Sequence, residues 1–469
     1  MKRTNTFFMK TGLLSTMMVL LTISLSRAQT DSSFTLQQCI DYALKNNVNV
    51  RNAELDREIS KAKIGEVRSA GLPQINGTAQ IIDNPALRRL FLKYDPSTPG
   101  PFDSYFPPGT APGVYGVPQL FQQRTSENAS LTASQLLFSG SYLIGLKAAK
   151  VLVELSSMST LQSKVLTTES VTKAYYLVLI NRERTKLLDA NISRVDSLLR
   201  QTRISNQQGF VEKIDVDRLD VTYNNLVTER QKFANIIELS MLVLKFQMGY
   251  DVNKNIELKG DISELNSIIA TYTNFNSADL NYNNRPEYRL LLTQKKLEYF
   301  NLKNIRSGYT PTLSAFGTAG YYGANNKVVE TIKSKAYQYT LWGVTLNVPV
   351  FDGFNKYYKA QQSKLTITKM DNSIANFEQA VTLQVKQNEL SLKNNIKTSE
   401  VQKKNLDLAK EISRVTKIKY QQGIGSNIEV VVAETSYKEA QTNYYNALYD
   451  LMVSQIDYQK SLGTLYQGK

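Results

Sequence analysis

Sixty-nine consecutive residues, Phe354 to Gln422, contain neither Gly nor Pro. A run of helix formers this long makes a rod of roughly 100 Å at about 1.5 Å per residue, about twice the width of an ordinary globular domain. The stretch therefore cannot fold back into a compact core. It closes on Tyr420-Gln421-Gln422-Gly423, and a second run without Gly or Pro follows from Asn427 to Leu462. Leu146 to Gln208 is its counterpart earlier in the chain, closing on Gln207-Gln208-Gly209. Two very long helical hairpins are expected.

The remaining pattern alternates between helical and β periods. From Leu36 to Ala70 apolar residues recur at three-four spacing, and the pattern stops before Gly71-Leu72-Pro73. Then Ile75, Gly77, Ala79 and Ile81 alternate with Gln74, Asn76, Thr78 and Gln80, which is a strand with one apolar and one polar face. Ala129, Leu131 and Ala133 alternate in the same way with Asn128, Ser130, Thr132 and Ser134. Between these strands, Asn84 to Pro118 holds eight of the chain's twelve prolines and reads as an irregular loop. Leu188, Ile192, Val195 and Leu199 form a heptad-like seam in the first long helix.

The second half repeats this order. Arg51 matches Arg289, Arg68-Ser69 matches Arg306-Ser307, and Pro73 matches Pro311, all at one offset; Gln207-Gln208-Gly209 matches Gln421-Gln422-Gly423. Two tandem repeats of helix, strand, strand, long helix and return helix follow. The first, 29–249, has a helix at 36–70, strands at 74–83 and 125–137, a long helix at 141–208 and a return helix at 212–248. The second, 282–469, has a helix at 285–307, strands at 312–322 and 337–349, a long helix at 354–422 and a return helix at 427–462. A polar, partly structured connector, 250–281, joins them.

Residues 1–28 read as a signal peptide. Lys2, Arg3 and Lys10 precede an apolar stretch from Thr11 to Leu25, and Ser26-Arg27-Ala28 suits cleavage. The four basic residues of that segment leave the mature chain near +11 of the formal +15. Lys and Arg are scattered among acids and amides along the helices, so a solvated helix surface is expected and no nucleic-acid partner. The chain has no His, which removes the commonest general base and metal ligand. It shows no nucleophile motif and no phosphate-binding Gly loop, so neither an enzyme, a cofactor nor a metal site is expected. Cys39, the one cysteine, reads as an inert small apolar residue on a helix face.

Strands of about ten residues fit a tilted membrane strand. Tyr321, Tyr322, Tyr337, Tyr339 and Trp342 cluster near the loop ends of the second pair and suit an aromatic girdle at a membrane interface; a soluble hairpin packed on its helices is the alternative. Four strands are too few to close a membrane barrel, and open edges cannot face lipid. Other copies must complete it: two would give eight strands and three would give twelve.

Several short motifs appear in a fixed order: Leu36-Gln37-Gln38-Cys39-Ile40-Asp41-Tyr42-Ala43-Leu44-Lys45-Asn46-Asn47, Leu72-Pro73, Gln135-Leu136-Leu137-Phe138-Ser139-Gly140, Asn284-Arg285-Pro286-Glu287, Val348-Pro349-Val350-Phe351-Asp352-Gly353 and Tyr420-Gln421-Gln422-Gly423. In these the mature chain resembles the TolC-type outer-membrane efflux proteins. Val48 departs from the pattern, since the family usually has Pro after its Asn-Asn pair; Pro286 keeps it.

The resemblance implies a mainly α fold with a transmembrane β part: a homotrimer with a 12-stranded barrel in the outer membrane, continued by a long α-helical barrel in the periplasm. It implies a passive export duct of a tripartite efflux or type I secretion system, opened at its periplasmic tip by an adaptor and an inner-membrane pump or ABC-type transporter. Gln208, Gly209, Gln422 and Gly423 fall at the adaptor-docking tip. Tyr420, Asp215 and Glu429 fall at the gate and tunnel mouth. Asp215 and Glu429 also suit the first turn of a helix, where carboxylates favour the positive dipole end, and the two glycines also suit helix C-caps. Gly425 stands where the best-known member carries an Arg that ties the tip shut, and Val432 where it carries a second acidic residue. Lys213, Arg218 and Lys419 are candidates to replace that pairing. The rival from another class is an exported coiled-coil spacer or adhesin without a lumen, which predicts no alternating strands.

Overall fold

The computed structural model describes residues 33–118, 123–260 and 280–466; the proposed signal peptide and residues 261–279 of the connector lie outside them. In chain order the elements are β1 (Ser33–Phe34), α1 (Leu36–Asn46), α2 (Val48–Ser69), β2 (Gln74–Asp83), β3 (Arg89–Tyr94), β4 (Gly113–Pro118), β5 (Thr125–Phe138), α3 (Gly140–Gln207), α4 (Lys213–Met248), β6 (Glu257–Leu258), α5 (Pro286–Ser307), β7 (Thr312–Asn325), α6 (Val328–Lys333), β8 (Tyr337–Asn347), α7 (Asn355–Gln421) and α8 (Asn427–Leu462). Short 3-10 turns lie at Asp103–Tyr105 and Tyr282–Asn284. Contacts divide the chain into one unit of residues 1–57, 155–292 and 372–469 and another of residues 58–154 and 293–371.

The first unit is helical. Its largest core joins α1 (Cys39, Ala43), α3 (Val171, Ala174, Tyr175, Val178, Leu179) and the end of α4 (Leu244, Met248) with Ile256 and Leu258. Cys39 is fully enclosed, and burial pushes its thiol up to about 12, so it packs as an apolar group. The short β6 pairs in parallel with β1, which ties the described part of the connector to the start of this unit. The heptad seam on α3 buries Leu188, Val195 and Leu199, with Ile192 partly buried beside them. On α8 the buried residues Val430, Tyr437, Leu451 and Tyr458 keep heptad spacing and meet α3, α4 and α7.

The single helix expected at 36–70 is two helices, α1 and α2, broken at Asn47. Asn47 is extended (φ −61°, ψ 131°). Its side-chain amide donates to the Gln247 carbonyl at 2.8 Å, and its oxygen accepts from the Asn49 N–H at 2.9 Å. The side chain thus caps the new helix, satisfying one of its orphan N–H groups. Asn47 with its partner Gln247 thus sets the stop, and Val48 can take the first position of the new helix. The Asn46–Asn47 backbone also leaves no room at Gly249, where a Cβ would lie 2.6 Å from the Asn46 carbonyl oxygen. Gly249 caps α4 in the left-handed conformation at φ +68°. Gly463 caps α8 at φ +73° in the same way, with the Asn284 backbone 2.8 Å from where its Cβ would be.

The second unit is built on a four-stranded antiparallel sheet in the order β2-β5-β7-β8. Partners run from Gln74↔Ser134 to Asp83↔Thr125, from Thr125↔Asn325 to Phe138↔Leu313, and from Thr312↔Asn347 to Tyr322↔Tyr337. Among the described residues both edges, β2 and β8, are unpaired. The expected irregular loop at 84–118 contains a second sheet, the antiparallel pair β3–β4, in register from Arg89↔Pro118 to Tyr94↔Gly113. Leu90, Leu92 and Tyr94 share a face with Val117 and Tyr115. Tyr94, Phe106 and Tyr115 pack at centroid distances of 4.4 and 5.7 Å. Pro118 is tolerated because it ends its strand.

Candidate functional sites: the helix turns and the sheet faces

Each long helix ends in the same turn. At the α3–α4 turn Gly209 has φ +79°, Phe210 N–H bonds Ser205 O at 2.9 Å and Gly209 N–H bonds Asn206 O at 3.0 Å. At the α7–α8 turn Gly423 has φ +77°, with Ile424 to Lys419 O and Gly423 to Tyr420 O, both at 3.0 Å. Both are Schellman caps, whose left-handed residue favours Gly. Nothing lies within 4 Å of the Cβ position of either glycine, and Gln208 and Gln422 are exposed beside them.

The reading of the sequence missed Phe210 and Ile424. Both are 80% exposed, each directly after its turn glycine. An apolar residue at this cap position usually packs back on its own helix; here both point to solvent. The signal was present in the sequence as a large apolar residue after Gly in both turns.

The two turns pack together. Tyr420 rests on a cluster of Leu198, Leu199, Leu219 and Val430, and its hydroxyl lies 3.2 Å from Thr202 Oγ1. Asn427, buried at the start of α8, donates to the Asp215 carbonyl at 2.8 Å. An open cleft of about 530 Å³ lies between the turns, with Asp215, Arg218 and Tyr420 on its walls. Asp215 sits in the first turn of α4, its carboxylate 3.5 Å from Arg218. Glu429 sits in the first turn of α8, where Ser426 is the N-cap, and its exposed side chain forms no ion pair among the described residues. Both carboxylates therefore sit at a positive helix end. Of the three candidate replacement cations only Arg218 meets an acid among the described residues.

In the second unit, register and alternation sort the sheet into two faces. One carries Ile75, Ala79, Ile81, Leu131, Leu313, Ala319, Tyr321, Trp342, Val344 and Leu346. Its large side chains lie open, Trp342 at 81%. The other is mainly polar, carrying Gln74, Asn76, Thr78, Gln80, Asn128, Ser130, Thr132 and Thr318 with Phe316 and Leu341 among them; Thr78 is bonded to Ser130 and Thr132 to Thr318, both at 2.9 Å. An apolar face of this extent, beside a hydrogen-bonded polar one, matches a lipid-facing and lumen-facing pair.

The five aromatics expected to form one girdle do not share a face. Tyr321 and Trp342 lie on the apolar side. Tyr322, Tyr337 and Tyr339 lie on the polar side, where the Tyr339 hydroxyl donates to Asn128 Oδ1 at 2.9 Å. The physical reason is strand parity: neighbours such as Tyr321 and Tyr322 must point opposite ways. Among the described residues no helix is long and apolar enough to cross a membrane.

Comparison with known proteins agrees with this geometry. The chain is 21% identical over 298 residues to the outer membrane protein TolC of Vibrio cholerae, an alignment covering 63% of this chain and 67% of that protein. Its fold is similar to the Campylobacter jejuni CmeC outer membrane channel (TM-score 0.66, 17% identity, 92% of this chain and 86% of that one). It is equally similar to the open state of the Neisseria gonorrhoeae MtrE outer membrane channel (TM-score 0.67, 17% identity, 91% and 88%). The model of the outer membrane efflux proteins matches residues 39–235 and 301–464, most of both halves. On that match, the chain belongs to the outer membrane efflux protein family.

Proposed function

We propose that three copies of this chain build one export duct, each giving four strands to a 12-stranded barrel and its long helices to a periplasmic tunnel. Family membership makes the chain an outer-membrane export channel extending into the periplasm and not an enzyme; a spacer without a lumen finds no support. The observation that carries the shared barrel is the sheet itself, an exposed apolar face whose two edges are unpaired among the described residues; the number three is what the family resemblance implies. In lipid those edges need partners, and joining β8 of one copy to β2 of the next closes the barrel.

The two turns are the periplasmic tip in this reading. Gln208, Gly209, Gln422 and Gly423 form the surface for the periplasmic adaptor, and the exposed Phe210 and Ile424 add apolar contacts to it. Tyr420 holds the tip together through Thr202, and Asp215 and Glu429 give the tunnel mouth a negative lining. An inner-membrane pump or ABC-type transporter supplies the energy. Cargo crosses by diffusion once the adaptor opens the tip. Planar-bilayer conductance of the purified protein tests this directly. The expected result is a channel of stable unit conductance whose open fraction rises when the Tyr420–Thr202 contact is removed. A protein that conducts in neither form, or that behaves as a monomer in mild detergent, would refute the trimeric duct.

A further inference from the structure

Halfway along the first unit, α3, α4 and α8 line a small, half-open cavity of about 20 Å³. That is room for one water- or halide-sized sphere and nothing larger. Its lining holds a guanidinium without an ion pair and one buried donor without a partner among the described residues. Arg184 stacks its guanidinium on the Phe233 ring at 4.9 Å and makes no hydrogen bond or ion pair among the described residues. The only carboxylate on the wall, Glu229, is already paired with Lys438. One positive charge is therefore left uncompensated.

Gln441 supplies the second, independent observation. Its side chain is 5% exposed and lines the same cavity. Asn191 donates to its oxygen at 2.8 Å, which fixes the amide orientation. Its Nε2 then meets no acceptor. A buried amide N–H without a partner costs on the order of 1–3 kcal/mol, so an acceptor at this place would relieve a real deficit. Tyr445 brings a hydroxyl to the wall, whereas that of Thr442 already donates to the Lys438 carbonyl at 3.1 Å. Burial pushes the Tyr445 phenol up to about 12, so the hydroxyl stays neutral. Desolvation also lowers the Arg184 guanidinium, more than Glu229 raises it; an anion beside it would oppose that shift.

We propose that this cavity binds a single chloride ion, held by Arg184 and Gln441 and pinning α8 to α3 and α4. Charge argues for an anion over water, and the narrow interior favours a monatomic ion over a carboxylate or phosphate. Soaking crystals of the full chain in bromide tests the site. An anomalous peak within hydrogen-bonding reach of the Arg184 guanidinium and Gln441 Nε2 is expected. The thermal midpoint of the detergent-purified protein should also climb with log chloride when gluconate is replaced at constant ionic strength, as a native-state ligand requires. That slope should vanish in Arg184→Gln and shrink in Gln441→Leu, while Arg184→Lys retains part of it. A water, or a neighbouring protomer's carboxylate, in place of the bromide peak overturns the proposal. So does a bromide peak with no chloride-dependent midpoint, which would mark an adventitious ion only. Should Arg184→Gln fail to fold, the wild-type peak and slope still decide.

Discussion

Four glycines with nearly the same backbone make a controlled experiment. Gly209, Gly249, Gly423 and Gly463 have φ of +79°, +68°, +77° and +73°. Alanine in this region costs roughly 1–2 kcal/mol of backbone strain at each. The surroundings then separate them. The Cβ positions of Gly209 and Gly423 are open, whereas those of Gly249 and Gly463 lie 2.6 and 2.8 Å from the Asn46 and Asn284 backbones. Making room there adds about 1–3 kcal/mol, the range for overpacking a filled site. Alanine at Gly209 or Gly423 should thus cost roughly 1–2 kcal/mol, and at Gly249 or Gly463 roughly 2–5 kcal/mol. Thermal unfolding followed by helix ellipticity in one detergent gives the ranking. The open positions also admit larger groups, so Gly209→Arg with Gly423→Arg should leave assembly and conductance intact and abolish export in cells. Equal destabilisation by alanine at all four sites would refute the steric part of this reasoning, and a double Arg variant that exports normally would refute the docking part.

Three further outcomes follow from the same geometry. Trp342 is the only tryptophan, so lipids brominated on their acyl chains should quench the protein's tryptophan fluorescence; an unquenched signal would mean the apolar face does not meet lipid. Glu169 accepts from Lys173 at 2.9 Å and from Lys460 at 2.7 Å, and Lys173 also reaches Asp457 at 2.6 Å, which clamps α3 to α8. Burial alone would raise the Glu169 carboxyl, but the hydrogen bonds from Lys460 and Lys173 outweigh it and hold it below the ordinary 4.5. A depressed folded pKa stabilises above the unfolded value and is lost as pH falls below it. Wild-type stability should therefore drop as pH falls below 4.5, and Glu169→Gln should lose about 1.5–3 kcal/mol at neutral pH, the range for a hydrogen bond to a charged group, and show a flatter acid limb; matching acid limbs in denaturation would rule the clamp out. Finally, Glu429→Ala should weaken cation preference in bilayers by reversal potential, whereas unchanged selectivity would return Glu429 to a helix-dipole role.

Local rules were enough for much of this molecule. A run such as Phe354–Gln422 has no residue that could end a helix, so α7 follows from composition alone. Alternation in Gln74–Ile81 dictates an apolar and a polar face wherever the strand pairs. The turn glycines Gly209 and Gly423 were legible because only Gly takes φ near +80° at little cost. The split of the aromatics could have been read from strand parity, since Tyr321 and Tyr322 are neighbours.

What tertiary structure decided depends on partners distant in the chain. The helix break at Asn47 combines a local cap on the Asn49 N–H with an anchor on the Gln247 carbonyl, 200 residues away, and only the cap is encoded locally. The β3–β4 pair forms because two short alternating segments meet across a proline-rich apex; averaged over 84–118, their periodicity is hidden. The adjacency of β5 and β7 joins the two halves of the chain, and the order of strands in a sheet is set by contact rather than by any strand's own sequence. The orphaned Gln441 amide and the uncompensated Arg184 are likewise invisible in sequence. Hydrogen-bond and charge balance are properties of packed space, and only bringing three helices together creates the deficit.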